Sequence, residues 1–178
     1  VIISLNKIER AYIPCMLFFI RGDQPMAGQN EENTENERKF VLTPTFSANA
    51  LSSGWEEIPI RQGYIHAPRL RQEGSKFLFT FKHMAQDGKL VEIEKPISKV
   101  DFDRLWPDCT NLVVKDRYQR EYGDETWMID FLKDENADTY FVMAECEMPE
   151  GRDTPYSMPD EIKDDIIYIV EKDDVRFT

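Results

Sequence analysis

The chain has 178 residues, of which 41% are hydrophobic, so it can bury the core of one domain. It carries 34 acidic against 22 basic residues and a net charge of -12, which excludes a general nucleic-acid-binding surface and requires local basic clusters or divalent cations for any phosphate ligand. Three cysteines without paired spacing exclude a disulfide framework and a thiolate zinc site, and we expect a cytoplasmic protein.

The amino-terminal segment differs in character from the rest of the chain. Residues 11–20 are apolar but too short for a membrane-spanning helix, which needs about 20 residues. No small-residue cleavage site follows at the distance expected of a signal peptide, and residues 27–36 are polar. We interpret residues 1–33 as a disordered or extraneous extension and residues 34–178 as the folded domain.

The first predicted strand has charges on one of its faces. Side chains of a β-strand alternate, so Glu35, Glu37 and Lys39 share one face while Phe40 and Leu42 occupy the other. A face of two carboxylates and an ammonium is a poor core surface. It is suited to line a polar cavity that holds a metal and an anion.

The same alternation recurs in later predicted strands. Four pairs of residues with the same charge are spaced two positions apart: Arg69 and Arg71, Glu92 and Glu94, Lys115 and Arg117, and Glu145 and Glu147. Lys82 and Asp130 each lie in a run in which apolar residues alternate with other residues. A solvated face of an ordinary antiparallel sheet explains any single pair. However, each of these pairs is either purely acidic or purely basic, which favours a cavity that all the strands share. In that cavity the charges of seven carboxylates and six cations would nearly balance.

Two turn signals, at residues 86–88 and 121–124, predict hairpins and therefore an antiparallel sheet. Closure of that sheet would remove its exposed edges and make the charged face an interior. The predicted class is mainly β (α+β), with a few helices packed outside.

Helical signals are few. Ser98 and Asp101 form a capping-box pattern that predicts a short helix ending before Pro107. A second short helix is predicted to begin near Pro159 and to continue through Lys163.

The charged positions also follow the order of a known family. A lone Glu-x-Glu-x-Lys motif is weak, but the collinear series is specific and resembles the CYTH family, the triphosphate tunnel metalloenzymes, over about residues 34–178. The series comprises Glu35-x-Glu37-x-Lys39, Gln62-Gly63-Tyr64, Arg69-Leu70-Arg71, Phe79-Thr80-Phe81-Lys82, Glu92-Ile93-Glu94, Lys115-Asp116-Arg117, Asp130-Phe131 and Glu145-Cys146-Glu147. The resemblance implies a closed antiparallel eight-stranded β-barrel, or tunnel, with a charged interior.

The resemblance implies a role for each charged position. Lys39 would be catalytic, with Tyr64 as proton acceptor, although Tyr64 also suits an ordinary place at the rim. Supporting carboxylates would be Glu92 and Glu94. The cations that would bind phosphate are Lys39, Arg69, Arg71, Lys82, Lys115 and Arg117, and the ligands of Mg²⁺ or Mn²⁺ would be Glu35, Glu37, Asp130, Glu145 and Glu147.

The function that the resemblance implies is metal-dependent hydrolysis of a small-molecule triphosphate. Inorganic tripolyphosphate is the expected substrate, and thiamine triphosphate and nucleoside triphosphates are the other candidates. One alternative is a class IV adenylate cyclase, and another is a module that only binds triphosphate or polyphosphate. No nucleic-acid or membrane partner is expected, and a homodimer is compatible with such barrels. Residues 174–178 resemble a family segment that continues further, so a carboxy-terminal truncation is expected.

Overall fold

The computed structural model describes residues 36–65, 68–86, 90–171 and 174–177. The predicted extension, Glu35, and Asp87 and Gly88 of the first predicted turn lie outside these ranges. Within them the chain forms β1 (Glu37–Leu42), β2 (Glu56–Tyr64), β3 (Arg69–Glu73), β4 (Lys76–Met84), β5 (Leu90–Pro96), α1 (Lys99–Leu105), β6 (Thr110–Tyr122), β7 (Glu125–Lys133), β8 (Thr139–Glu147) and β9 (Ile166–Ile169). Short 3-10 helices span Ala48–Ala50, Trp106–Asp108, Lys163–Asp165 and Val175–Phe177.

The strands form one antiparallel sheet in the order β5-β4-β3-β2-β6-β7-β8-β1-β9. This confirms the mainly β class and the antiparallel pairing. The expected closed barrel of eight strands is not confirmed, because the sheet of the described residues has nine strands and is open between β5 and β9. The physical reason is that β9 pairs with the edge of β1 that β8 leaves free, so β1 has no edge left for β5.

The first predicted helix is confirmed. The backbone N–H of Asp101 donates to Ser98 Oγ at 3.0 Å, which caps the amino terminus of α1. Phe102 is fully buried, and its ring lies 5.0 Å from that of Phe77 and 5.1 Å from that of Trp106. The helix therefore packs on the aromatic face of β4.

The second predicted helix is wrong. A turn follows Pro159, and only the 3-10 helix Lys163–Asp165 precedes β9. Asp165 is held by the loop after β1, because the N–H of Thr43 donates to its carbonyl at 2.8 Å and the Thr43 hydroxyl bonds its carboxylate. Ile162 is fully buried in the main core. These tertiary contacts hold residues 160–165 in a turn and a 3-10 helix where local sequence favoured an α-helix.

The core divides between the two faces of the sheet. The larger apolar cluster lies on the face that Phe40 and Trp127 share, and their rings stack 5.5 Å apart. A smaller cluster includes Val41, Met143 and Phe177 and lies at one end of the opposite face. That opposite face carries the charges described below.

In the ranges that the structure describes, no helix combines the length and apolarity needed to cross a membrane.

Candidate functional site

The register of the strands places the predicted charges on one face of the sheet. Residues that are directly opposite in an antiparallel pair project to the same side. Ile58 of β2 lies opposite Arg117 of β6, and Gln62 of β2 lies opposite Arg71 of β3. Because Ile58 and Gln62 are four residues apart on one strand, Arg117 and Arg71 project to the same side of the sheet. We call this surface the charged face. Opposite pairs on it are Glu37 with Glu147, Lys39 with Glu145, Arg117 with Asp130, and Lys82 with Glu92.

Asp130 is the most deeply buried charge of this face, with 1% of its surface exposed. Its Oδ1 accepts from Arg117 Nε and its Oδ2 from Arg117 Nη2, both at 2.7 Å, and Lys115 Nζ lies 2.5 Å from Oδ2. Arg117 Nη2 also donates to Glu145 Oε2 at 3.0 Å. These four side chains, from three adjacent strands, form the Asp130 cluster.

Burial and ion pairing act in opposite directions in this cluster. Burial alone would raise the pKa of Asp130, but the Lys115 charge and the hydrogen bonds from Arg117 outweigh it and lower that pKa. Burial likewise raises the pKa of Glu145, and the Asp130 charge raises it further. Burial lowers the pKa of Lys115. The ion pairs thus stabilise the carboxylate form of Asp130, whereas the surroundings of Glu145 disfavour its carboxylate form.

Lys39 connects β1 to β8 and to the end of the described chain. Its Nζ lies 2.8 Å from Glu37 Oε1 and 4.0 Å from Glu145 Oε1. It also donates to the main-chain carbonyl of Phe177 at 2.8 Å. An ammonium has three N–H groups, so among the described residues these two short contacts leave one that a ligand oxygen could accept.

A second group of charges lies on β3, β4 and β5. Arg71 Nη2 donates to Glu94 Oε2 at 2.9 Å, and the Thr80 hydroxyl donates to the same oxygen at 2.8 Å. Arg69 Nη2 lies 3.6 Å from that oxygen and 3.7 Å from Glu92 Oε1. We call this the Glu94 cluster, and Lys82 extends it through a 3.0 Å contact with Glu92.

The two arginines of the Glu94 cluster have unused donors. The Nε atoms of Arg69 and Arg71 are both buried without a hydrogen-bond partner among the described residues. Burial lowers the pKa of Arg69, and the neighbouring Arg71 charge lowers it further. Buried donors without acceptors are costly, so this arrangement favours an anion that supplies oxygens.

Two residues of this face were absent from the predicted site. Glu73 Oε1 lies 3.0 Å from Arg71 Nη1. Burial lowers the pKa of Arg117, but Asp130, Glu145 and, to the smallest extent, Glu73 raise it above its usual value. Thr80 is buried and bonds Glu94. The signal for Glu73 was available, since Arg69, Arg71 and Glu73 continue one alternation. A lone threonine gives no comparable signal.

Tyr64 lies on the charged face, opposite Arg69. Gly63, beside it, is required by packing, because a Cβ at that position would lie 2.8 Å from Cys109 Cβ and from a Leu112 methyl. The strands of Tyr64 and Lys39 are separated in the sheet by β6, β7 and β8, and the structure describes no bond between these two side chains. The pairing of Tyr64 with Lys39 stays a prediction.

The predicted metal ligands are partly brought together. Glu37 and Glu147 are opposite partners on β1 and β8, and Glu145 is on the same face. In the part of the chain that the structure describes, no three Asp, Glu, His or Cys side chains are arranged to hold a metal ion. Instead, Lys39 contacts Glu37, and Arg117 bonds Glu145. The oxygen donors suit Mg²⁺ or Mn²⁺ chemically, and a metal would replace ammonium and guanidinium contacts.

Comparisons with known proteins give no family. No family model matches the chain, and no curated protein matches it. Among solved structures, PH1012 of Pyrococcus horikoshii OT3 matches with 14% identity over 67% of this chain and 81% of its own, at a TM-score of 0.46. A conserved hypothetical protein of Pyrococcus furiosus matches with 15% identity over 74% and 85%, at 0.44.

A proposed adenylate cyclase of Bacillus halodurans also matches, with 15% identity over 64% of this chain and 79% of its own, at a TM-score of 0.42. All three likenesses have TM-scores below 0.5. They support neither a family nor an activity for this chain.

Proposed function

We propose that the charged face binds a triphosphate together with a divalent cation and hydrolyses it. The observation that carries the proposal is the convergence of cationic side chains from four strands on one face, together with the unpaired buried Nε atoms of Arg69 and Arg71. A triphosphate is a compact multiple anion that needs many donors at once. The six cations are Lys39, Arg69, Arg71, Lys82, Lys115 and Arg117.

The carboxylates of the face hold these cations in place without a ligand. Glu94 orients Arg71, and Asp130 orients Lys115 and Arg117. Positioned donors need little rearrangement when phosphate binds, and phosphoryl transfer depends mainly on positioning and charge stabilisation. Arginine forks suit two phosphate oxygens at a time, while Lys39 acts as a point charge.

Glu37, Glu145 and Glu147 are the side chains that would hold the divalent cation, with Glu35 and Asp130 as further predicted ligands. When bound, the cation would neutralise part of the phosphate charge and polarise the phosphate oxygens. In the proposal Lys39 donates its remaining N–H to a phosphate oxygen. Tyr64 relays a proton: its hydroxyl oxygen takes the proton of the attacking water as its own proton passes to a phosphate oxygen. The new bond from the water oxygen to the terminal phosphorus forms as the bond from that phosphorus to the leaving diphosphate oxygen breaks. Asp130 keeps Arg117 aimed at the ligand through its paired hydrogen bonds.

The reaction can be tested with three substrates. Purified protein is incubated with tripolyphosphate, thiamine triphosphate or ATP, each with Mg²⁺ or Mn²⁺, and phosphate, pyrophosphate and cyclic AMP are measured. We expect phosphate from tripolyphosphate. Cyclic AMP and pyrophosphate formed from ATP would show that the protein is a cyclase and not a hydrolase. Binding of a triphosphate without turnover would show that it is a binding module.

A substitution tests the site itself. Lys39→Ala removes the ammonium that joins Glu37 to the Phe177 carbonyl, and we expect a loss of about 100-fold or more in kcat, as for other groups that stabilise transition-state charge. Arg38→Ala, one residue away on the opposite face of β1, is the matched control and should keep its activity. Full activity of Lys39→Ala would refute the assignment.

A further inference from the structure

The carboxy-terminal turn Val175–Phe177 packs directly on the charged face. Phe177 is buried in the smaller apolar cluster, with its ring 6.4 Å from that of Phe141. Its main-chain carbonyl accepts the hydrogen bond from Lys39 Nζ at 2.8 Å. The backbone leading to the turn is also tied to β1, because Val170 N–H donates to the Lys39 carbonyl at 2.9 Å.

A set of contacts outside the Asp130 and Glu94 clusters connects this turn to β9. Tyr168 donates its hydroxyl to Asp174 Oδ2 at 2.9 Å, and Arg176 donates from Nε and Nη2 to the two Asp174 oxygens at 2.8 and 2.6 Å. The Arg176 guanidinium also lies 5.7 Å from the Tyr168 ring and 5.6 Å from the Phe177 ring. We call Tyr168, Asp174 and Arg176 the latch.

We propose that the carboxy-terminal turn is part of the site and positions Lys39 through the Phe177 carbonyl, with the latch holding that carbonyl in place. For its effect on catalysis this inference rests on the proposed function. Lys39 is the candidate catalytic residue, and the latch residues are positioning residues, because they act through Phe177.

The chemistry of the acceptor distinguishes Lys39 from the other cations of the face. Arg117 and Arg71 are held by carboxylates, which orient them but also offset their charge. Lys39 also contacts a carboxylate, that of Glu37 at 2.8 Å, but its second acceptor is a neutral carbonyl, which fixes the ammonium without offsetting its charge further. A lysine has a flexible four-carbon stem, so Glu37 alone, two residues away on the same strand, would leave the ammonium free to swing. The Phe177 carbonyl supplies the second fixed point.

The test uses Arg176→Ala in the full chain, because Arg176 is an exposed residue of the latch and the substitution does not alter the Phe177 side chain itself. Lys99→Ala is the matched control, since Lys99 makes an exposed ion pair with Asp103 on α1 at 2.5 Å. The first measurement needs no ligand. It is the ¹H–¹⁵N NMR signal of the Lys39 ammonium, assigned by comparison with Lys39→Arg, because a hydrogen-bonded ammonium exchanges its protons slowly.

We expect the Lys39 signal to shift or broaden in Arg176→Ala and to stay unchanged in Lys99→Ala. We also expect tripolyphosphate turnover by Arg176→Ala to fall about tenfold in kcat, with KM changed less than about twofold, because a misplaced group costs rate more than binding. In a Lys39→Ala background the same substitution should add no further loss, since coupled residues are not additive. Tyr168→Phe is a second variant, which removes only the latch hydroxyl and is expected to have a smaller effect.

Two results would overturn the inference. One is an unchanged Lys39 signal in both latch variants. The other is an equal loss of kcat with and without the Lys39 side chain, which would show that the latch acts on stability alone. If the wild-type protein neither binds nor hydrolyses a triphosphate, the proposed function fails, and the NMR measurement still decides whether the turn positions Lys39.

Discussion

The two charge clusters on the sheet face differ in how firmly they are held. In the Asp130 cluster the central carboxylate is 1% exposed, and its ion contacts are 2.5 to 2.7 Å long. In the Glu94 cluster the central side chain is 34% exposed, and Arg69 stands 3.4 to 3.7 Å from its acceptors. The first cluster is thus held by short contacts around a buried carboxylate, whereas the second contains two arginines whose Nε atoms have no hydrogen-bond partner among the described residues.

The position of each cluster in the sheet explains the difference. The Asp130 cluster lies on β6, β7 and β8, which have strands on both sides, and it is closed at one end by the smaller apolar cluster. The Glu94 cluster lies on β3, β4 and the terminal strand β5. Water reaches it more easily, so its ion pairs are screened more strongly. Stability should therefore depend mostly on the first cluster, and ligand binding on the second.

The largest expected effect is on stability, from Asp130→Asn. The substitution leaves Lys115 and Arg117 buried with Glu145 as the one remaining counter-charge of the Asp130 cluster, so we expect the free energy of unfolding to fall by about 3–5 kcal/mol. Chemical denaturation measures it. Asp116→Asn, which removes an ion pair to Lys133 with Asp116 34% exposed, is the control and should cost about 1 kcal/mol or less. Equal losses in the two variants would contradict the comparison.

The Glu94 cluster should respond in the opposite way. Arg71→Ala removes a guanidinium between Glu73 and Glu94, and we expect kcat/KM for tripolyphosphate to fall about 100-fold, or about 2.7 kcal/mol. The free energy of unfolding should change much less than in Asp130→Asn. Lys95→Ala, on the opposite face of β5, controls for the general loss of a positive charge. A folded Arg71→Ala protein with wild-type activity would contradict the role of this cluster.

The contrast also shows what the sequence alone could predict. Alternation is a local property, so the shared face of Lys39, Arg71 and Asp130 could be predicted from the spacing of charges. Closure of the sheet could not, because it depends on whether β9 or β5 takes the free edge of β1. The Phe177 carbonyl was also beyond prediction, since a main-chain group has no residue signature. The wrong helix after Pro159 arose because the contacts of Asp165 with Thr43 outweigh local preference.

The pH dependence of stability should follow Asp130. Its folded-state pKa is lowered, so its ion pairs stabilise the fold above the unfolded value of about 3.9 and are lost as the pH falls through the folded value. We expect the free energy of unfolding to fall from about pH 4 downward, by part of the Asp130→Asn difference. Urea titrations at several pH values measure this. Asp130→Asn should show a shallower decline, and parallel declines in both proteins would assign the acid sensitivity to other carboxylates.

The smallest effect should come from the hydroxyl that joins Arg69 to Glu94. Thr80→Val keeps the buried shape but removes the donor to Glu94 and the acceptor of the long contact from Arg69. We expect a loss of about 1 kcal/mol in the free energy of unfolding, the usual net value of one hydrogen bond. Tripolyphosphate affinity should fall only a fewfold, because Arg71 still holds Glu94. Thr139→Val is the control, since its partly exposed hydroxyl accepts from Lys133 at 3.0 Å and water can replace it. A loss of affinity in Thr80→Val as large as that in Arg71→Ala would mean that the Glu94 cluster is held as tightly as the Asp130 cluster.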